Sequence, residues 1–366
     1  MKELNIVAWL GIKGTVLLQS SNSFEERKAL AYAAGILNAG GLVAFPTETV
    51  YGLGANAFSS PAVAKIFRAK KRPADNPLIV HIAKMEQMYE LASTIPPEAL
   101  LLGQKFWPGP LTIILPKKKI VPDITTAGLP SIAIRIPSHP LALKLIRAAG
   151  LPLAAPSANL SGRPSPTKAK HVLGEMAGRI NAIIDGGDCI FGLESTVLSL
   201  VSTPPSLLRP GGVTLEMLES CLKKEILDLS NRGKDENDGY TPPSPGMKYR
   251  HYAPTTPLYL VEGKGKLQRK QIISLYNSLN LQGCKVGLLL SEEMKRYFPT
   301  AVLEVLGPRE DHHLAARRLF QALRRLDELK LDIIIAEGVN ETGLGRAIMN
   351  RLRKAATRIF NAEKKV

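Results

Sequence analysis

Cysteine is scarce: Cys189, Cys221 and Cys284 are scattered over 366 residues and form no C-x-x-C pair. That argues against a disulfide framework and against a cysteine zinc site, and it makes a reducing cytosol the expected compartment. Aromatic residues make up only 5%, so any core must be mostly aliphatic. No apolar run approaches the ~18 residues of a membrane span. The apolar start, MKELNIVAWLGIKGTVLLQS, is interrupted by Lys13 and reads as a leading strand, or as an extra upstream start, rather than as a signal peptide. There is no Ser/His/Asp spacing, no metal-ligand cluster and no P-loop. What is absent points to a site that binds and orients rather than one that attacks covalently.

What is present is enough for a folded chain. Apolar residues make up 45%, and the length suits two domains or three. Lys and Arg number 48 against 32 Asp and Glu, a net +16 that suggests a polyanionic partner such as nucleotide, RNA or a phosphate-rich substrate.

Residues 1–22 read as an N-terminal extension. From residue 23 to 227, strands and helices interleave irregularly, which predicts a mixed α/β domain around a large twisted sheet. Ser23 with Glu26 forms a capping box at the first helix, and Ser60-Pro61 begins a second. Strands are expected at 42–45, 77–83, 111–115, 132–136, 152–155, 180–185 and 195–201. Residues 228–256 lose their aliphatic residues and read as a linker. Residues 257–366 return to alternating strands and helices, a smaller Rossmann-like α/β domain. Its TGLGRA fragment follows a strand but lacks the spacing of a dinucleotide loop.

Several segments carry chemistry. Lys65, Arg68, Lys70, Lys71 and Arg72 crowd eight residues without an acid, followed by the rigid RPADNP turn. This is either a solvated basic face or a phosphate clamp that includes Asn76. FPTETVYGLGANA, leaving the strand 42–45, gathers Thr47, Glu48, Thr49 and Tyr51 with Gly52 and Gly54. It is either an ordinary loop or a ligand loop whose glycines admit a substrate. In IAIRIP, strand alternation puts Arg135 on the face opposite Ile132, Ile134 and Ile136. A guanidinium there needs an internal acid or a bound carboxylate. His81 lies inside a strand, as a core residue or a ligand contact. Ser157, Asn159 and Ser161 end another strand, and Ser195, Thr196 and Arg209 add polar groups further on.

Taken in order, PTETVYGLGANA, KKRPADNPLIVHI, WPGPLTIIL, AIRIP, AAPSANLSGRPSPT, ESTV and LRPG resemble the YrdC-type domain of the threonylcarbamoyl-AMP synthases. SPGMKYRHYAP and GLGRAIMNRLRKAA resemble the long, two-domain form of that family. The K-x-R and S-x-N tetrad of the family matches Lys70, Arg72, Ser157 and Asn159. The resemblance implies synthesis of threonylcarbamoyl-AMP and pyrophosphate from L-threonine, bicarbonate or CO2, and ATP, for modification of adenosine 37 of tRNA by downstream transfer machinery. It implies threonine contacts from Thr49, His81, Arg135, Ala155 and Ser195. It implies ATP contacts from Lys70, Arg72, Asn76, Ser131, Ser157, Ser165 and Arg209, with Mg2+ carried on the phosphates rather than held by a protein metal site. Ala74 and Ser131 depart from the serine and threonine common at those places, which puts local ATP contacts in doubt.

The linker is aromatic and basic for a tether. Tyr249, Arg250, His251 and Tyr252 are expected to fold over the occupied pocket, with Tyr249, His251 and Tyr252 near ATP. The competing reading joins the two domains. Two other functions compete with the synthase. One is a double-stranded RNA or tRNA-binding module without catalysis, consistent with weak RNA binding by a basic chain. The other is a carbamoyltransferase on another substrate, which the missing Cys pairs disfavour. The expected setting is cytoplasmic, with no membrane association.

Overall fold

The computed structural model describes residues 10–19, 22–230 and 251–363. The chain divides into two compact units. The second takes the carboxy-terminal part together with Gly162–Pro164 and Phe191–Leu193.

The first unit is built on a mixed twelve-stranded sheet. From one edge its strands run Leu10–Ile12, Thr15–Leu18, Ala182–Ile184, Val43–Phe45, Gly52–Asn56, Leu153–Ala154, Ile79–His81, Ser131–Arg135, Leu111–Pro116, Thr196–Ser199, Ser206–Arg209 and Leu227–Asp228. The central strand Ser131–Arg135 shows how the sheet sorts its faces. Ile132 and Ile134 join the large aliphatic core with Ile113, Leu115, Leu198 and Leu207. On the opposite face Ala133 joins a small apolar cluster with Ile79, Ile114, Val197 and Leu208, and Leu229 packs against it. Arg135 and Ser131 share that second face at its two ends, about 13 Å apart at strand rise. This face positions the candidate site.

Local signals differ from expectation in identifiable ways. Asn22 caps the helix Ser23–Asn38, accepting from the N–H groups of Phe24 and Glu25. Glu26 is therefore released from the expected capping box and pairs with Lys144 at 2.5 Å. The second helix, Ser60–Lys70, is capped by Ser59, which accepts from Ala62. The segment read as a glycine loop forms the strand Gly52–Asn56, antiparallel to Val43–Phe45. Its glycines make room for a side chain of the same sheet. A Cβ on Gly54 would lie 2.8 Å from Cε1 of Phe45 and one on Gly52 3.3 Å from Cζ. The Phe45 ring in turn stands edge-on to His81, with centroids 6.1 Å apart. Gly54→Ala is expected to lower stability by about 1–3 kcal/mol through overpacking. Thermal unfolding measures the loss, and Phe45→Leu in the same chain should restore part of it.

The second unit carries five parallel strands in the order Val302–Val305, Val286–Leu290, Ile333–Glu337, Leu258–Glu262 and Arg358–Asn361. Right-handed crossovers put the helices Gly265–Leu281 and Glu292–Lys295 on one face and His312–Glu328 and Leu344–Ala355 on the other. The layers are Rossmann-like, although the strand order is 3-2-4-1-5 rather than the 3-2-1-4-5 of that fold. The sequence pattern had missed the helix Gly265–Leu281. It buries only Gln268, Ile272 and Leu279, too few apolar positions to give a clear helical stripe. In TGLGRA, a Cβ on Gly345 would meet the carbonyl oxygen of Asn340 at 1.8 Å, so packing of its own loop requires that glycine.

Candidate active site

The parallel strands Ile79–His81 and Ser131–Arg135 set His81 beside Arg135 in register. Both are buried, at 3% exposure. Arg135 has an internal partner. Its Nη2 donates to Glu48 Oε1 at 2.7 Å, Nη1 to Thr49 Oγ1 at 2.9 Å and Nε to the Gly109 carbonyl at 3.2 Å. The second carboxylate oxygen of Glu48 accepts from the Ser138 N–H at 3.0 Å. One N–H on each terminal nitrogen of Arg135 is left over from these bonds, which suits a second, planar anion. Glu48 stood in the PTETV motif beside Thr49, and the need of Arg135 for an acid was the signal that could have singled it out.

Ser195 precedes the strand Thr196–Ser199, which runs parallel to Leu111–Pro116. Its hydroxyl lies 2.8 Å from Thr112 Oγ1 and accepts from Arg209 Nη2 at 3.1 Å, while Arg209 Nε donates to the Ser195 carbonyl at 2.9 Å. Ser165 donates to Glu194, next to Ser195 in the chain. Arg209, expected with ATP, thus bonds Ser195, expected with threonine, directly, and Ser165 bonds the residue that precedes it. Thr112 and Glu194 were missed: Glu194 stands in the ESTV motif beside Ser195, but each meets its partner, Ser195 for Thr112 and Ser165 for Glu194, far along the chain.

Lys70 and Arg72 leave the end of the Ser60–Lys70 helix in different directions. Lys71 takes a left-handed backbone, φ 51°, which turns the chain between them. Lys70 is buried, and its Nζ donates to the carbonyls of Ser157 at 2.5 Å and Asn159 at 2.6 Å. Burial, and then the charge of Arg72, push its pKa down to about 7, against a smaller opposing pull from Glu175. Arg72 Nη2 donates to the carbonyls of Asn76 at 2.9 Å and Pro77 at 3.3 Å. The tetrad is therefore one structural unit: Lys70 shapes the loop holding Ser157 and Asn159, and Arg72 shapes the turn holding Asn76. The Asn76 side chain is fully buried, and neither its oxygen nor its nitrogen has a hydrogen-bond partner among the described residues. Buried side-chain amides are rarely left this way in a folded protein, which makes Asn76 a candidate contact for a bound group.

Two further expected contacts are backbone-level or peripheral. The Ala155 N–H donates to the Ile79 carbonyl at 2.9 Å, fixing the start of the Ser157 loop against the sheet. Ser131 is half-buried where its strand begins, close to the level of the Asn76–Pro77 turn. His81 stays neutral near pH 7, because burial, followed by the charge of Arg135, pushes its pKa down to about 3. Tyr51 serves the fold, its hydroxyl donating to the Gly187 carbonyl at 2.8 Å.

The linker residues Tyr249 and Arg250 lie outside the described residues, as does all of 231–250, the larger part of the linker 228–256 in which the lid was expected. His251 and Tyr252 belong to the second unit. The Tyr252 ring is buried there, stacked on Phe320 at 5.5 Å and covered by the Arg351 guanidinium at 5.5 Å. Among the described residues, no group of three His, Cys, Asp or Glu could hold a metal ion. No described helix is long and apolar enough to cross a membrane.

Fold and site define an α/β protein with a buried, hydroxyl-lined sheet face that carries an arginine with N–H groups to spare. Two family models match the chain, one described as telomere recombination over residues 35–211 and one as the C-terminal domain of threonylcarbamoyl-AMP synthase over residues 213–357. The threonylcarbamoyl-AMP synthase of Pyrococcus abyssi is 48% identical, over 93% of this chain and 98% of the relative. That of Bacillus subtilis is 50% identical, over 89% and 92%. A crystal structure of P. abyssi Sua5 complexed with L-threonine superposes with a TM-score of 0.87 at 47% identity, covering 95% of this chain and 99% of that one. The chain belongs to the threonylcarbamoyl-AMP synthase family, in its two-domain form.

Proposed function

We propose that this chain condenses L-threonine, bicarbonate and ATP into threonylcarbamoyl-AMP, pyrophosphate and water. One observation carries the reading: a buried Arg135 keeps two N–H groups over at one end of a sheet face, and a buried Lys70 with a half-buried Arg72 braces the loop of Ser157 and Asn159 and the turn of Asn76.

Threonine binds with its carboxylate on the two remaining N–H groups of Arg135, each a charge-assisted bond worth about 1.5–3 kcal/mol. Thr49, Ser195 and the Ala155 backbone surround it. His81 has too low a pKa to keep a proton taken from the ammonium group. It orients the amine by accepting a hydrogen bond and leaves general-base work to solvent or bicarbonate. ATP lies along the apolar strip of Ile79, Ala133 and Ile114, with Asn76, Ser131, Ser157, Ser165 and Arg209 around the nucleotide and Lys70 and Arg72 on its phosphates. The threonine nitrogen attacks the carbon of CO2, formed from bicarbonate with loss of water. A carbamate oxygen then attacks the α-phosphorus, and its bond to the β-phosphate oxygen breaks to release pyrophosphate. Positioning and charge stabilisation suffice for this step, and no protein nucleophile takes part. Mg2+ travels on the ATP phosphates.

The product is consumed in the cytoplasm by transfer machinery that modifies position 37 of tRNA, and the basic surface gives weak RNA affinity. The family relationship and the buried small-molecule face set aside a binding module without catalysis. Pyrophosphate release from ATP is the test. It should require both threonine and bicarbonate, and salt-sensitive RNA binding without turnover would overturn the reading.

A further inference from the structure

A second cluster of cations lies in the second unit, far along the chain from the residues above. A cleft of about 290 Å3 opens there. Gly265, Lys266 and Arg269 line it from the loop and helix after the strand Leu258–Glu262. Arg296 and Tyr297 line it from the segment after Val286–Leu290, and Arg309 from the loop after Val302–Val305. All three segments leave the carboxyl ends of parallel strands. The first two lead to helices on one face of the sheet and the third to a helix on the other. In open α/β sheets, a crevice where such connections part is the usual ligand site.

Three of the cations, Arg269, Arg296 and Arg309, are held in place, and Lys266 is exposed beside them. Arg309 Nη2 bonds Glu337 Oε1 at 2.5 Å, and Glu337 is buried at the carboxyl end of the central strand Ile333–Glu337. Tyr297 keeps two guanidiniums together: Arg269 and Arg296 each lie 5.0 Å from its ring, and Arg296 Nη2 donates to its hydroxyl at 3.0 Å. The one acid lining the cleft, Glu293, has both carboxylate oxygens on the Arg309 backbone N–H, at 3.0 and 3.1 Å. Four cations thus face the cleft against two carboxylates, the lining Glu293 and the Glu337 paired with Arg309. The 17-residue helix Gly265–Leu281 adds its amino end, which has no side-chain cap and no acid in its first turn.

We infer that this cleft is a separate binding site for the oligophosphate group of a small ligand, either free pyrophosphate or the tail of a nucleoside di- or triphosphate. Counting both acids, two excess positive charges remain, spread over four cationic side chains, which suits a multiply charged phosphate anion and exceeds what a single carboxylate requires. The volume holds two or three phosphoryl groups and leaves a nucleoside outside. A concave pocket of this size favours a compact ligand over an RNA backbone, which needs a strip of cations along an open surface.

Calorimetric titration of the full chain with pyrophosphate tests the assignment. Two binding events are expected in the unaltered protein. One should be lost in Lys266→Glu/Arg269→Glu, while threonine-dependent turnover at saturating ATP stays within about twofold. The thermal midpoint of that variant should fall only slightly, since Lys266 is exposed and Arg269, half-buried, loses only its contact with the Tyr297 ring. ADP binding much tighter than pyrophosphate would assign the site to nucleotides; equal affinity would assign it to the free anion; either supports the inference. A single event in both proteins would overturn it. So would a variant that loses tRNA binding but keeps both pyrophosphate events.

Discussion

Arg135→Ala is expected to weaken threonine binding sharply and also to weaken the fold, and the two losses can be separated. The guanidinium is the partner of Glu48, and both side chains are nearly inaccessible, at 4% and 3% exposure. Removing one member of a buried pair leaves an uncompensated charge, a loss of about 3–5 kcal/mol. A simple drop in activity would therefore say little about substrate contact. The double variant Glu48→Gln/Arg135→Ala removes the stranded charge and should recover most of the unfolding midpoint. Threonine binding should not recover with it, because the leftover N–H groups that would meet the carboxylate are gone. The loss of threonine affinity should be about 10- to 100-fold or more, the size of one or two charge-assisted bonds. ATP, held toward the other end of the face, should bind nearly as before. Separate titrations of the two substrates decide it. Equal weakening of both in a folded double variant would remove Arg135 from its place as carboxylate anchor.

The same pair shows how much of the site the sequence makes legible. Alternation in IAIRIP put Arg135 on the face away from the isoleucines, and the sheet agrees, because a strand period of two follows from backbone geometry alone. Which acid would meet it was not legible. Glu48 lies 87 positions earlier, and only the folded sheet brings it near. Lys70, Arg72, Asn76, Ser157 and Asn159 were legible as types but not as a unit. The contacts that join them run from side chains to carbonyls, and every residue carries a carbonyl, so no side-chain pattern announces them. Glycine was the most misleading signal. Gly52 and Gly54 looked like space for a ligand, and the space is filled by Phe45 from the neighbouring strand. The helix Gly265–Leu281 was hidden for the opposite reason. It buries so little that its sequence reads as surface, yet its amino end forms part of the basic cleft.

Lys70→Met should reduce turnover about 10²- to 10³-fold, the usual effect of removing one group that stabilises transition-state charge. It should also change how ATP binding depends on pH. The argument rests on counting donors. A neutral amine has two N–H groups, and the carbonyls of Ser157 and Asn159 take two. A third donor, free to meet a phosphate, exists only in the ammonium form. Burial and Arg72 hold the pKa of Lys70 at about 7, well below the ordinary lysine value of 10.5. Between those two values the unfolded chain carries the proton and the folded chain does not, so this residue makes stability rise with pH across that window. Below pH 7 both forms are charged and the full burial cost remains. A triphosphate beside Nζ favours the ammonium form and raises its pKa again. ATP binding at pH 8 should therefore take up a proton, seen as a binding enthalpy that varies with the ionisation enthalpy of the buffer. The uptake should shrink at pH 6, where Lys70 is already charged, and vanish in Lys70→Met. Arg147→Ala, at an exposed position of the Pro140–Ala149 helix, should leave both turnover and proton uptake unchanged. If Lys70→Met takes up the same proton as the unaltered chain, or turns over at the same rate, Lys70 only braces the loop and another group meets the phosphates.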